Sequence, residues 1–82
     1  MDYEEAERIL ACVMERLEQE RNRQGLSLQR LGAISGVSRM AIGMIEKGQR
    51  SPSLIICLRV ADALGLDLGD VLKSVPKSKR GK

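Results

Sequence analysis

Few side chains in this sequence could do chemistry on their own. Histidine is absent and Tyr3 is the single aromatic residue, which excludes imidazole acid–base catalysis and a stacking platform for unpaired bases. Cys12 and Cys57 have neither metal-ligand spacing nor a histidine partner, so they read as small buried hydrophobes in a reducing cytosol. No nucleophile–base pair or metal set is visible, and an enzyme is not expected. What remains is Ser27 to Lys47, SLQRLGAISGVSRMAIGMIEK. At about 100° per residue, Arg39, Met40, Gly43 and Met44 fall on one side of a helix there, with Ala41, Ile42 and Ile45 on the other. One side suits a core; the other, a cation among flexible apolar side chains, suits recognition.

The elements that must position that face read from the same stretch. Two short amphipathic helices, Leu28 to Ser35 and Arg39 to Lys47, meet at Gly36-Val37-Ser38, a corner too short for anything but a tight turn. Leu31 and Ile34 share the apolar side of the first, and Gly32 and Ala33 are small enough for another helix to approach. Ser27 and Ser38 stand at the N-cap positions, and Gly36 can take the positive φ of a sharp helix exit. Two capped helices around such a turn form a helix-turn-helix, whose second helix can enter the DNA major groove.

The rest of the chain follows in order. Asp2 to Gln24 is expected as one long helix, with Ala6, Ile9, Leu10, Val13, Leu17 and Arg21 recurring at intervals of three and four and acids at its N-terminal end. Arg21 lies on that apolar stripe, a costly place for an unpaired charge, and Glu46 at the core edge of the second motif helix is its expected partner. Ser51 and Pro52 predict a helix from Pro52 to Leu64 with Ser51 as its cap; its unbroken apolar run Leu54-Ile55-Ile56-Cys57-Leu58 reads as a central buried helix. Asp67 can cap a last helix, Leu68 to Lys73. Residues 1–73 make one domain, and the basic segment 74–82 reads as a disordered solvating tail.

Charge is unevenly placed. The net +3 of the 82 residues divides into −5 over residues 1–20 and +8 over residues 21–82. The basic part contains the helix-turn-helix and would attract polyanions. No secretory or membrane-spanning segment is seen, so a cytoplasmic, nucleoid-associated protein is expected.

Arg21, Gly25-Leu26-Ser27, Leu31, Gly36-Val37-Ser38, Ile42, Ile45-Glu46-Lys47-Gly48, Ser51-Pro52-Ser53-Leu54, Ala61 and Ala63-Leu64-Gly65-Leu66 together resemble the phage-repressor or Cro-type (XRE) helix-turn-helix family. The resemblance covers about residues 13 to 72. It implies an all-α, five-helix, phage-repressor-like DNA-binding domain, here with an extended first helix, and the same Arg21–Glu46 salt bridge. It also implies base contacts from Ser38, Arg39, Met40, Gly43 and Met44, and phosphate contacts from Ser27, Gln29, Lys47, Gln49, Arg50 and Ser53. Among the base-facing residues Arg39 can bridge guanine O6 and N7, and Met40 and Met44 can lie against thymine methyls. Leu28 stands where the family often has a phosphate-gripping glutamine, and the base-facing side is poor in amides.

One such module covers little DNA, so a homodimer on a palindromic operator is expected, its reading helices about 34 Å apart. Tyr3 and Leu10 on the added N-terminal turns and Leu68, Val71 and Leu72 on the last helix are its expected contacts. The implied function is a sequence-specific, double-stranded DNA-binding transcriptional regulator of repressor type, without cofactor or evident small-molecule ligand. The alternative is a protein-interaction module on the same fold, such as an antitoxin or assembly partner.

Overall fold

The structure is a computed structural model in which residues 1–76 are described. Asp2 starts the first helix: its carboxylate accepts a hydrogen bond from the Glu5 backbone N–H at 2.8 Å, and α1 (Tyr3–Arg23) follows, with Glu4 and Glu5 in its first turn at the positive end of the dipole. Gly25, at φ 70°, turns the chain. Then come α2 (Leu28–Ser35), α3 (Arg39–Glu46), α4 (Leu54–Ala63) and α5 (Leu68–Ser74). Serine or aspartate caps each: Ser27 accepts from Arg30 N–H, Ser38 from Met40 and Ala41 N–H, Ser53 from Ile56 N–H and Asp67 from Asp70 N–H.

The core lies where these helices meet. Val13 and Leu17 of α1, Leu31 of α2, Ile42 of α3 and Val60 of α4 are its most completely buried large side chains. α2 packs on both α3 and α4, while α1 runs along α3, α4 and α5 and closes the other side. Their periodic apolar positions explain the arrangement, because each short helix can hide one stripe and no more. Among the described residues no helix is long and apolar enough to cross a membrane, and no buried side-chain nitrogen or oxygen lacks a hydrogen-bond partner.

Four details depart from the sequence reading. α4 starts at Leu54 rather than Pro52, and its cap is Ser53, not Ser51, because the Ser53 hydroxyl reaches the Ile56 N–H at 3.1 Å. α4 is also not buried all round: Cys57, Val60 and Ala61 face the core, while Leu54, Ile55 and Leu58 face solvent. Ile34 does not join Leu31 inside, since α2 has neighbours on the Leu31 side and Ile34 sits nearly half exposed. Leu68 and Val71, expected at a dimer contact, are spent on the monomer's own core, and Leu10 packs against that core as well. Of that expected set, Tyr3 and Leu72 retain exposed apolar surface.

The added turns of α1 are tied down more than the sequence implies. Arg8 pairs with Glu5 and donates to the Pro76 carbonyl at 3.0 Å, joining the start of α1 to the segment after α5. α5 includes Ser74, one residue past the predicted boundary, and residues 77–82 of the expected tail lie outside the described residues.

Candidate nucleic-acid interface

The corner between α2 and α3 is built from small residues. A methyl group placed on Gly32 would stand 2.9 Å from the Val37 carbonyl oxygen and 3.2 Å from the Arg39 nitrogen, so only glycine lets the start of α3 cross α2 this closely. Gly36 ends α2 at φ 75°, in the left-handed region that disfavours other residues. Ser35, buried beneath the turn, accepts from the Val37 N–H at 3.1 Å. Arg59 of α4 then donates through Nε to the Ser35 carbonyl at 3.0 Å, placing a cation at the negative end of α2.

Once the corner is fixed, the orientation of α3 follows from its buried stripe. Ala41, Ile42 and Ile45 are inside, and Met40, 72% exposed, and Met44, 37% exposed, are outside. Arg39 is exposed beside them and Gly43 lies between. Ser38 is exposed, but its oxygen is engaged as the α3 cap at 3.2 and 3.3 Å from Met40 N and Ala41 N. Hydrogen-bonding capacity on this ridge therefore rests mainly on the Arg39 guanidinium. A methyl on Gly43 would meet only the Leu28 Cδ1, at 3.4 Å, so nothing inside the monomer demands glycine there.

Around the ridge, Ser27, Gln29, Lys47, Gln49, Arg50 and Ser53 are all exposed. Ser27 and Ser53 accept from backbone N–H groups as caps, and each hydroxyl keeps its proton for an outside acceptor. Helix N-termini carrying such hydroxyls, with Lys47 and Arg50 nearby in sequence, form a surface chemically suited to phosphate.

The far end of α3 is pinned by charge. Arg21 donates to Glu46 through Nε at 2.8 Å and Nη2 at 2.9 Å, and its Nη1 reaches the Leu26 carbonyl at 2.7 Å. Both side chains are nearly covered, at 13% and 10% exposure. This fork joins α1, the α1–α2 turn and the last residue of α3 in one contact.

A second ionic cluster was not anticipated. Glu20 is buried and accepts from Arg23 and from Gln24, whose amide also donates to the Leu64 carbonyl at 2.8 Å. Hydrogen bonds from Arg23 and then Gln24 lower the Glu20 pKa to about 2. The signal was present in the sequence: Glu20 continues the Val13–Leu17 stripe just as Arg21 does, with Arg23 and Gln24 one turn on. Arg59 gave a weaker signal, a lone cation in the middle of the otherwise apolar run of α4 from Leu54 to Ala61.

Fold and ridge together define a helix-turn-helix domain with its second helix free to be read against a partner. Residues 17–71 match the helix-turn-helix family, XRE type, and the chain belongs to it. It is 39% identical over 51 residues to YgzD, an uncharacterized HTH-type transcriptional regulator of Bacillus subtilis, a match covering 62% of this chain and 77% of that protein. An uncharacterized HTH-type transcriptional regulator of Methanothermobacter thermautotrophicus is 43% identical over 49 residues, covering 60% of this chain and 71% of the other. No solved structure gives a significant match.

Proposed function

We propose that this chain regulates transcription by binding double-stranded DNA sequence-specifically, with α3 in the major groove. Arg39 bridges guanine O6 and N7, Met40 and Met44 lie on thymine methyls, and Gly43 lets the helix backbone come close to the bases. Ser38 reaches the groove edge, while Ser27, Gln29, Lys47, Gln49, Arg50 and Ser53 hold phosphates on either side. Two copies act on a palindromic operator, each taking one half-site, and repress by occupying it; the expected setting is the cytoplasm, at the nucleoid.

One observation carries this reading: Arg39, Met40 and Met44 face outward on a helix whose opposite stripe is locked into the core. A ridge of that shape on a member of this family has an obvious use. Selection from a random duplex pool is expected to return a palindrome with a guanine in each half-site. Recovery of no sequence, with no salt-dependent duplex binding, would favour the protein-interaction alternative, for which the exposed methionines are also suited.

A further inference from the structure

The two ends of α3 are set by arginines from two other helices. Arg21 of α1 holds the far end through Glu46. At the near end, Arg59 of α4 donates through Nε to the Ser35 carbonyl, 3.0 Å away and 24 residues distant in sequence. α2 has no basic residue in its own last turn, so the cation at its negative end comes from α4.

Three observations mark this contact as more than a chance surface pairing. The Val37 N–H is taken by the Ser35 hydroxyl at 3.1 Å, which leaves the Ser35 carbonyl to a donor from outside the corner. Gly36 makes room for that donor, since a methyl there would stand 2.6 Å from Arg59 Nη2 and 3.4 Å from Arg59 Cζ. Asp62, three residues along the same helix, forms no ion pair with Arg59 among the described residues, so the guanidinium serves the corner instead of the carboxylate nearest in sequence.

We infer that Arg59 is a positioning residue for base reading: it fixes the α2–α3 corner and so the angle at which Arg39 is presented. The inference rests on the proposed DNA reading for what Arg39 does, and on the corner for how Arg39 is aimed. The Ser35 carbonyl lies in the planar peptide that joins Ser35 to Gly36, and glycine is the most permissive point between the two helices. A hydrogen bond on that carbonyl takes the freedom away. Gly32 sets how closely α3 crosses α2; Arg59 sets how the corner is turned. A reading side chain loses discrimination when its support lets it shift by about 1 Å, and a bidentate contact with guanine is the first to suffer.

Arg59 is exposed, so the rival role is a plain phosphate contact. Such a contact adds to affinity for every duplex and to the salt slope, whereas positioning adds only to the preference for the selected sequence. A double-mutant cycle on the full chain separates the two, with Arg59→Met, Arg39→Ala and the pair titrated against the pool-selected duplex and a scrambled one. Arg59→Met is expected to melt close to the parent, as surface substitutions usually do. Its affinity for the selected duplex is expected to fall about ten-fold and for the scrambled duplex less than about two-fold, at an unchanged salt slope. In the Arg39→Ala background the same substitution should cost little, because the reader it aims is gone. Amide exchange without DNA gives an independent arm: the Val37, Met40 and Ala41 N–H groups should exchange several-fold faster in Arg59→Met, and the Lys47 N–H at the far end should not. If Arg59→Met does not fold, Arg59→Lys, which keeps the charge but not the Nε donor, carries the same cycle.

Losses from Arg59 and Arg39 that simply add overturn the inference. Equal losses on both duplexes, or a smaller salt slope, overturn it by assigning Arg59 to phosphate. Exchange that is unchanged at the corner, or raised throughout the chain, overturns it as well. A parent that prefers no duplex retires the DNA reading and the aiming of Arg39 with it, while faster exchange confined to Val37, Met40 and Ala41 would still show Arg59 holding the corner.

Discussion

α3 and α4 are consecutive amphipathic helices, each capped by serine, each with one stripe in the same core and each with apolar side chains left outside. They differ in what accompanies those side chains. On α3, Met40 and Met44 stand beside Arg39, and the helix is followed by Lys47, Gln49 and Arg50; on α4, Leu54, Ile55 and Leu58 have no charge among them. Exposed apolar surface alone does not name a partner. A neighbouring cation with a forked set of donors suits a polyanion that also displays methyl groups, whereas a neutral stripe suits another apolar surface. The two helices are also held differently: α3 is pinned at its end by the Arg21–Glu46 fork, while α4 helps to pin α2 through Arg59.

That contrast can be sharpened by releasing α3 alone. Arg21→Ala leaves Glu46 covered and without its fork, and is expected to cost about 3 kcal/mol of unfolding free energy, well above the 1 kcal/mol or less of an exposed pair. Chemical denaturation measures it. Amide exchange in the last turn of α3 should rise more than in α4; an unchanged denaturation midpoint would show that the fork does not hold the ridge.

Gly43→Ala probes the ridge without touching the core. Alanine gains up to about 1 kcal/mol of helix propensity at an interior position, and its methyl would meet only the flexible end of Leu28. The variant should therefore melt higher while binding its selected duplex more weakly, because the added methyl occupies space the bases need. Higher stability together with undiminished binding would show that the backbone at Gly43 stands away from DNA.

The smallest expected effect separates the two ionic clusters. Glu20 ionises at about 2 against an ordinary 4.5, held down by Arg23 and then Gln24. Its contribution to stability is complete above the ordinary value and is lost as pH falls from about 4.5 toward 2. Since Glu20 sits on α1 and its network reaches the end of α4, acid should loosen that side of the bundle. Glu20→Gln should flatten the stability–pH curve in this window, checked by thermal melts at a series of acid pH values.

Much of the fold was legible because several local signals agreed. Ser27, Gly36 and Ser38 fixed the corner, and the three- and four-residue spacing of α1 and α3 left one choice of inner stripe. α4 was misread because Leu54 to Leu58 is apolar without a period, so the sequence could not say which side faced in. Its cap was misplaced for a related reason: Ser51-Pro52 and Ser53 offer competing starts, and only the reach of a hydroxyl to an N–H decides between them. Ile34 carried the right residue type on a helix with too few neighbours to cover it. Leu68 and Val71 were assigned to a partner because no sequence pattern reveals that α1 and α4 already cover α5. Arg21 is legible because a charge on an apolar stripe needs a partner, and Glu20, buried on the same helix, carries the same signal.

The most direct measurement is equilibrium binding of the chain to its pool-selected duplex, titrated with salt, for the parent and Arg39→Ala. Major-groove binding by two copies predicts parent affinity falling roughly 10²-fold between about 50 and about 200 mM salt, as the phosphates neutralised by Lys47 and Arg50 of each copy require. It also predicts a further loss of about ten-fold or more per half-site on Arg39→Ala, with the salt slope little changed. Binding that is equally tight without Arg39, or that does not respond to salt, would contradict it.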